Sequence, residues 1–445
     1  MRGRINSQPT LFSTINIEEF VPQDHYLRKL DKVIDLNIIR KSTDKFYSNG
    51  HGRPAIPAEI FFRTQIIYYL YGIKSERQLC EQLQFNLAYR WFCRIPLEDE
   101  VPHHSSLSKI RSRFGEEVFK EIFEGLIKKW VKEKVVNGDR IIADGSLLVA
   151  DASLDSTIRK DGKKHKKDGS NKDRYSNSTH QHVQDKEAQI VGRPGFTKKL
   201  CYKTHYSIDA KSRIILDCYG TPGATPECTV FISRIDYIKN NLGLSPKEVL
   251  ADSGYGSGAI YKALEDRGIR SYIPLHRSKA RKKEIRKNGF SYDKSKDRIK
   301  CPKGHYLYPH NYTYRNMQKY RMVGGHCNGC PMEDKCLSKT QQHRALTLDR
   351  GIYEDYSYRV TKRQESKLFK KRLNERKWKV EGLFGKAKRN HGLHRLKYRG
   401  LKKVSIQMFM TAIVQNLKRV ANKCEISLNE SLSFYLKNHC LEIIH

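Results

Sequence analysis

Two apolar runs in the middle of this chain end alike. "RIIADGS" begins at Arg140 and "EVLADSGY" at Glu248, and each run closes on an aspartate, Asp144 or Asp252, followed by turn residues. Short apolar runs bounded in this way read as strands buried on both faces. Around the second run the pattern alternates. "TPECTVFISRIDYIKNNLG" has helical spacing before it, "SGAIYKALEDRG" has helical spacing after it, and "RSYIPL" is a further short strand. Strand, helix, strand, helix, strand is the signature of an α/β core, and it excludes an all-α or all-β architecture for this part of the chain. "YKTHYSIDAKSRIILDCYG" adds strand-turn-strand character.

The flanks differ from this core, and 445 residues is long enough for two or three folded units. Residues 1–138 read as a helical domain. "IPAEIFFRTQIIYYLYGI" opens with Pro57 at a helix start and stops at Gly72, while Ser75 with Gln78 has capping-box form and starts "SERQLCEQLQF". "NLAYRWFCRI" follows after a short break, which makes a helix-turn-helix. "SSLSKIRSRFG" predicts another helix, capped by Ser105 or Ser106, with Lys109 and Arg113 one turn apart on an exposed face. Those two cations suit DNA contact and equally suit an ordinary solvated face.

Residues 139–275 hold the α/β core, interrupted at 155–200 by a segment rich in Lys, Asp, Ser, Asn and Gly, which predicts a mobile basic loop. Residues 276–365 are basic and Tyr-rich, carry cysteines and lack clear periodicity, and read as an insertion. Residues 366–445 are helical, through "ESKLFKKRLNERKWKVEGLFGKAKR" and "KKVSIQMFMTAIVQNLKRV", and complete the core.

The charge balance points to a partner. Lys and Arg number 85 against 48 Asp and Glu, a net of +37 spread over nearly the whole chain, and such a field attracts phosphate polymers. No run of about 20 apolar residues, signal-peptide pattern or lipidation motif is present, so nucleic acid is the expected partner and no membrane role is expected. Eleven cysteines, scattered except for Cys301, Cys327, Cys330 and Cys336, argue against a secreted disulfide framework and for a reducing, cytoplasmic setting.

Two carboxylates delivered to strand ends would repel unless a hard cation such as Mg²⁺ lay between them, although Asp-Gly and Asp-Ser-Gly also simply start turns. A third acid, Glu381, stands nearly alone among cations in "KWKVEGLFGKAKRN". At 100° per residue, Lys377, Trp378, Gly385 and Lys388 fall within about 60° of it on the helix. Glu381 there fits a metal ligand flanked by phosphate-holding lysines, and it fits an intrahelical salt bridge to Lys377. Trp378 fits base stacking or core packing.

Two strand-end aspartates, a late helical glutamate and a strongly basic chain together resemble the DDE-type transposases of bacterial insertion sequences. The resemblance is to the branch with a helical N-terminal domain and a cysteine-bearing insertion. It is carried by "PAEIFFRTQIIYYLYGIKSERQLCEQL", "ADGS", "LADSGY" and "VEGLFGKAKRNHGLHRLKYRGL", and covers most of the chain. It implies an RNase H-like catalytic core in which Asp144, Asp252 and Glu381 bind two divalent ions, Mg²⁺ or Mn²⁺. It implies cleavage at the ends of an insertion sequence and transfer of the 3′-OH into target DNA, with double-stranded DNA as partner. Lys388 matches the family's basic residue seven positions after the glutamate, and Arg376 or Lys377 its upstream arginine. The tyrosine that relatives place about eight residues before the glutamate is Leu373 here. A bacterial, nucleoid-associated location and a homodimer pairing two DNA ends follow from the same resemblance. A metal-dependent nuclease without strand transfer and a non-catalytic DNA-binding regulator are the alternatives.

Cys301, Cys327, Cys330 and Cys336 are spaced C-x25-C-x2-C-x5-C in the polar insertion. Four thiolates of this kind suit a structural Zn²⁺ that staples a segment with little core, with His305 and His326 as rival ligands; reduced cysteines packed as small apolar groups fit too. Tyr, Lys and Arg interleaved over 306–321 suggest contact with DNA backbone.

Overall fold

The computed structural model describes residues 16–48, 54–162, 175–193, 195–275, 289–314, 317–337 and 345–439. The first part is helical: α1 (Ile17–Phe20), α2 (Tyr26–Asp31), α3 (Leu36–Thr43), α4 (Ala58–Leu70), α5 (Glu76–Phe85), α6 (Leu87–Cys93) and α7 (His104–Lys132). Strands follow: β1 (Arg140–Val149), β2 (Thr157–Arg159), β3 (His180–His182), β4 (Gln189–Arg193), β5 (Phe196–Asp209) and β6 (Ile215–Pro222). Then come α8 (Glu227–Leu242), β7 (Glu248–Leu250), α9 (Gly258–Glu265) and β8 (Arg270–Tyr272), the alternation expected from sequence. The insertion supplies β9 (Ser291–Asp293), β10 (Arg298–Lys300), β11 (Tyr306–Tyr314), β12 (Met317–Met322), α10 (Glu333–Cys336) and β13 (Thr347–Gly351). The chain ends in α11 (Glu354–Gln364), α12 (Lys367–Asn390) and α13 (Leu401–His439).

Contacts divide the chain into two compact units. The first comprises Met1–Asn137, Gly145–Thr225 and Glu381–His445. Its helical part is built around α4, which is buried on nearly every side because its sequence is apolar all round apart from Glu59, Arg63, Thr64 and Gln65. Arg63 is accommodated by ion-pairing with Asp31 and donating to the Phe92 carbonyl. Ser75 caps α5 as expected, accepting from the Gln78 backbone N–H. At α7 the cap differs from expectation: His103 Nδ1, rather than Ser105 or Ser106, serves the helix start. The helix also runs on far past the expected segment, with one break at Gly115, whose φ of +67° only glycine adopts readily.

The strands of this unit are antiparallel, β5 pairing with β4 and β6, with the β5–β6 hairpin at the expected place. Helix α13 lies against β6. There the buried Asn416 amide donates to and accepts from Ile215, satisfying the strand's backbone with a side chain. Residues 155–200 differ from the expected mobile loop. β2 pairs with β3, His180 and His182 are buried, and Asn177 both donates to the Ile190 carbonyl and accepts from its N–H. Polar side chains here replace the apolar contacts whose shortage made the segment look unstructured; residues 163–174 and 194 of it lie outside the described residues.

The second unit comprises Gly138–Asp144 and Pro226–Val380. Here the first half of β1 runs parallel to β7, with Ile141 beside Val249 and Ile142 beside Leu250, and β7 runs parallel to β8. All four of those β1 and β7 side chains are fully buried, as a strand covered on both faces requires. The insertion is a folded element of this unit. β13-β12-β11-β10-β9 form an antiparallel sheet, one face of which packs Ile299, Leu307, Tyr320, Met322 and Leu348 onto Leu337, Leu346 and Cys301.

Candidate active site

Parallel pairing sets β1 and β7 in register, so Asp144 and Asp252, each two residues past a paired leucine or isoleucine, reach the same end of the sheet. A tight turn, Ser253–Tyr255, follows Asp252, and the aspartate caps it, Oδ1 accepting from Gly254 N–H at 2.8 Å. A Cβ on Gly254 would stand 2.9 Å from that same oxygen, so glycine keeps the carboxylate seated. A third acid joins them. Glu227, the first residue of α8, has a carboxylate oxygen within 4.8 Å of oxygens of both aspartates, and all three residues are half-buried.

Tyr255 organises this end of the unit. It is 2 % exposed, its ring lies 4.8 Å from that of Phe231 on α8, and its hydroxyl donates to Glu227 one turn earlier on the same helix. Burial first, then the negative charges of Glu227, Asp144 and Asp252, push its phenol well above the usual range. The opposing charge comes from α12, where Arg376 is 3.4 Å from Asp144. Just before Arg376, α12 is anchored to the beginnings of the same strands. Glu375 meets Arg140 at 3.1 Å and Lys379 at 2.6 Å, and Arg372 meets Glu248 at 3.0 Å. Burial would raise the Glu375 carboxyl, but its pairs with Lys379, Arg140 and Arg372 outweigh that and hold it low.

The sequence-expected residues therefore divide. Asp144 and Asp252 come together with Arg376 beside them. Glu227 was missed, because an acid just after Pro226 reads as an ordinary helix start. Glu381 is exposed on α12, in the part of the helix that belongs to the first unit, with Lys377 one turn before it also exposed and Lys388 half-buried two turns on. Five residues separate Glu381 from Arg376, about 140° around the helix. Lys109 and Arg113 are exposed on α7 as expected, Arg113 lying 5.3 Å from the Tyr47 ring.

The four insertion cysteines converge on one cavity that His305 and His326 also line, their rings stacked 4.0 Å apart. Burial first, then Cys330, Cys327 and Cys301, raise the Cys336 thiol. Among the described residues the three carboxylates are the one group of acid, His or Cys ligand atoms that all lie within 4.8 Å of one another, so the sulfurs are spaced more widely than a closed tetrahedral site.

Two known families match parts of the chain. Residues 15–113 match a transposase domain, DUF772, and residues 300–421 match the transposase DDE domain. The chain carries a transposase DDE domain. The DDE match takes in Glu381 and most of the insertion sheet, whereas Asp144 and Asp252 precede it. Among solved structures, the transposase is similar to the piggyBac transposase synaptic complex with hairpin DNA at 11% identity, over 92% of this chain and 75% of that one, with a TM-score of 0.35. It is also similar to the Mos1 transposase paired-end complex with left transposon end at 16% identity, over 51% of this chain and 61% of that one, with a TM-score of 0.17. These scores are low, and the assignment of the transposase rests on the two family matches. No curated protein matches the chain. No described helix of the transposase is long and apolar enough to cross a membrane.

Proposed function

We propose that this transposase cuts DNA at the ends of a bacterial insertion sequence and joins the freed 3′-OH to target DNA, at a site built on Asp144 and Asp252. The observation that carries the reading is the convergence of two strand-end aspartates and Glu227 within 4.8 Å, with Arg376 beside them. Three carboxylates are the hard oxygen donors that Mg²⁺ or Mn²⁺ takes, so the residues fit the ion that the family implies. When bound, such an ion supplies Lewis acidity at a phosphodiester and a more acidic water. Asp144, Asp252 and Glu227 would hold it, and Glu381 is proposed as the family's third acid. Arg376, Lys377 and Lys388, with Lys109 and Arg113 on α7, hold phosphates and position the DNA. In the first reaction a water oxygen bonds to phosphorus as the P–O3′ bond breaks, leaving a 3′-OH and a 5′-phosphate. In the second that 3′-OH bonds to a target phosphorus as one target P–O bond breaks, so bond count is conserved and no nucleotide is consumed.

Pairing of two element ends calls for a homodimer on DNA, acting in the bacterial cytoplasm at the nucleoid. The cysteine cavity is proposed to hold a structural Zn²⁺ through Cys301, Cys327, Cys330 and Cys336, the sulfurs drawing together around it.

A joining assay with a pre-cleaved 3′-OH end in Mn²⁺ tests the reading. Joining by the wild-type chain supports a transposase, cutting without joining a nuclease, and binding alone a regulator. Glu381→Gln is expected to abolish joining. Joining that survives Glu381→Gln but not Glu227→Gln would make Glu227 the third acid.

A further inference from the structure

The sheet β9–β13 has two unlike faces. One is the small core described above. Registers set the other: Lys300 is opposite Tyr306, Tyr308 opposite Arg321, His310 opposite Lys319, and Arg321 opposite Thr347. Alternation along each strand puts these residues, with Arg298, on the side away from Leu307, Tyr320 and Met322. Lys300, Tyr308, His310, Lys319 and Arg321 are all exposed, Tyr308 at 43 %.

One cation of this face is held in place. The Arg298 guanidinium lies 3.8 Å from the Tyr306 ring centroid, meets Asp293 at 3.1 Å, and is bonded to the Tyr308 hydroxyl. With Asp293 thus engaged, Asp349, opposite Lys319, is the remaining acid among the residues paired across this face. Arginine already covers one tyrosine ring and holds the other's hydroxyl, so the aromatics brace cations rather than offer open platforms for unpaired bases. Exposed cations in register on a sheet without stacking platforms suit the phosphate backbone of a duplex.

We propose that this face of the insertion sheet binds double-stranded DNA through its phosphates, independently of sequence. Lys300, Lys319 and Arg321 meet the phosphates, and Arg298 and Tyr308 hold the surface in shape. The choice of partner rests on the transposase reading, but the binding needs neither metal nor the three acids.

The test uses the full chain, EDTA and a labelled 30-bp duplex of arbitrary sequence, with anisotropy read from 50 to 200 mM salt. Lys300→Glu/Lys319→Glu/Arg321→Glu is compared with Lys41→Glu/Lys128→Glu/Lys132→Glu, which has the same charge change in the helical part. The face variant is expected to bind at least about 10-fold more weakly than this control, with a salt slope shallower by about 2.7, roughly 0.9 for each phosphate no longer neutralised. Equal affinity and slope in the two variants overturn the proposal. Absence of DNA binding by the wild-type chain would instead sink the transposase reading. If the glutamate variant fails to fold by circular dichroism, the alanine triple at the same positions is read against the same control.

Discussion

Tyr255→Phe isolates one hydrogen bond at the acid cluster. Phenylalanine keeps the ring against Phe231 and removes only the hydroxyl that holds Glu227. A hydrogen bond to a charged group contributes roughly 1.5–3 kcal/mol. If that energy fixes the carboxylate toward Asp144 and Asp252, its loss weakens metal binding by about 10- to 100-fold, the range expected when a partner behind a metal ligand is removed. The direct measurement is the electron paramagnetic resonance signal of free Mn²⁺ during titration, which needs no DNA and no turnover. The Kd for Mn²⁺ should rise by that factor, the Mn²⁺ needed for half-maximal cleavage should rise with it, and excess Mn²⁺ should restore activity. The melting temperature should move by only a few degrees, because no cavity is opened. An unchanged Kd in Tyr255→Phe, while Asp252→Asn weakens binding, would refute the argument that Tyr255 positions a ligand. An unchanged Kd in Glu227→Gln as well would remove Glu227 from the site.

Two further outcomes are expected. Protein purified under reducing conditions should carry at least one zinc per chain by elemental analysis, and Cys330→Ser should lose it and lower the melting temperature; less than one zinc in the wild-type chain refutes the proposed site. His391, buried with Nδ1 3.0 Å from the Tyr69 carbonyl oxygen, is depressed from 6.5 to about 4, chiefly by burial. The unfolded chain therefore binds the extra proton between those values. The contribution of His391 is complete above pH 6.5 and is lost as pH falls through about 4, by an amount on the order of 3 kcal/mol. Denaturant titrations should show a shallower loss of stability over that window in His391→Gln than in the wild-type chain.

Asp144 and Asp252 were legible because an apolar run ending in an acid carries its own explanation, a buried strand delivering a side chain to its end. The helices around them were legible from spacing alone. Glu227 was not, since its place beside the aspartates comes from how α8 packs on Tyr255, and nothing local distinguishes it from any acid at a helix start. The insertion sheet was missed for a different reason. β9 and β10 have three residues each, and in β12 the alternation of Lys319, Tyr320, Arg321 and Met322 is too short to count as a period. Segment 155–200 hid its strands because Asn177, His180 and His182 take the part usually left to apolar side chains. The position of Arg376 on a helix could be read, but its approach to Asp144 could not.

That ion pair bears on how the protein could be handled by a cell. Arg376 already neutralises one of the acids, so a divalent ion arriving there would enter by exchange with a tethered cation rather than by filling an uncompensated hole in the charge pattern. Asp144, Asp252 and Glu227 can then wait on standby, already gathered and part-compensated. Such a site would be armed by the local supply of metal.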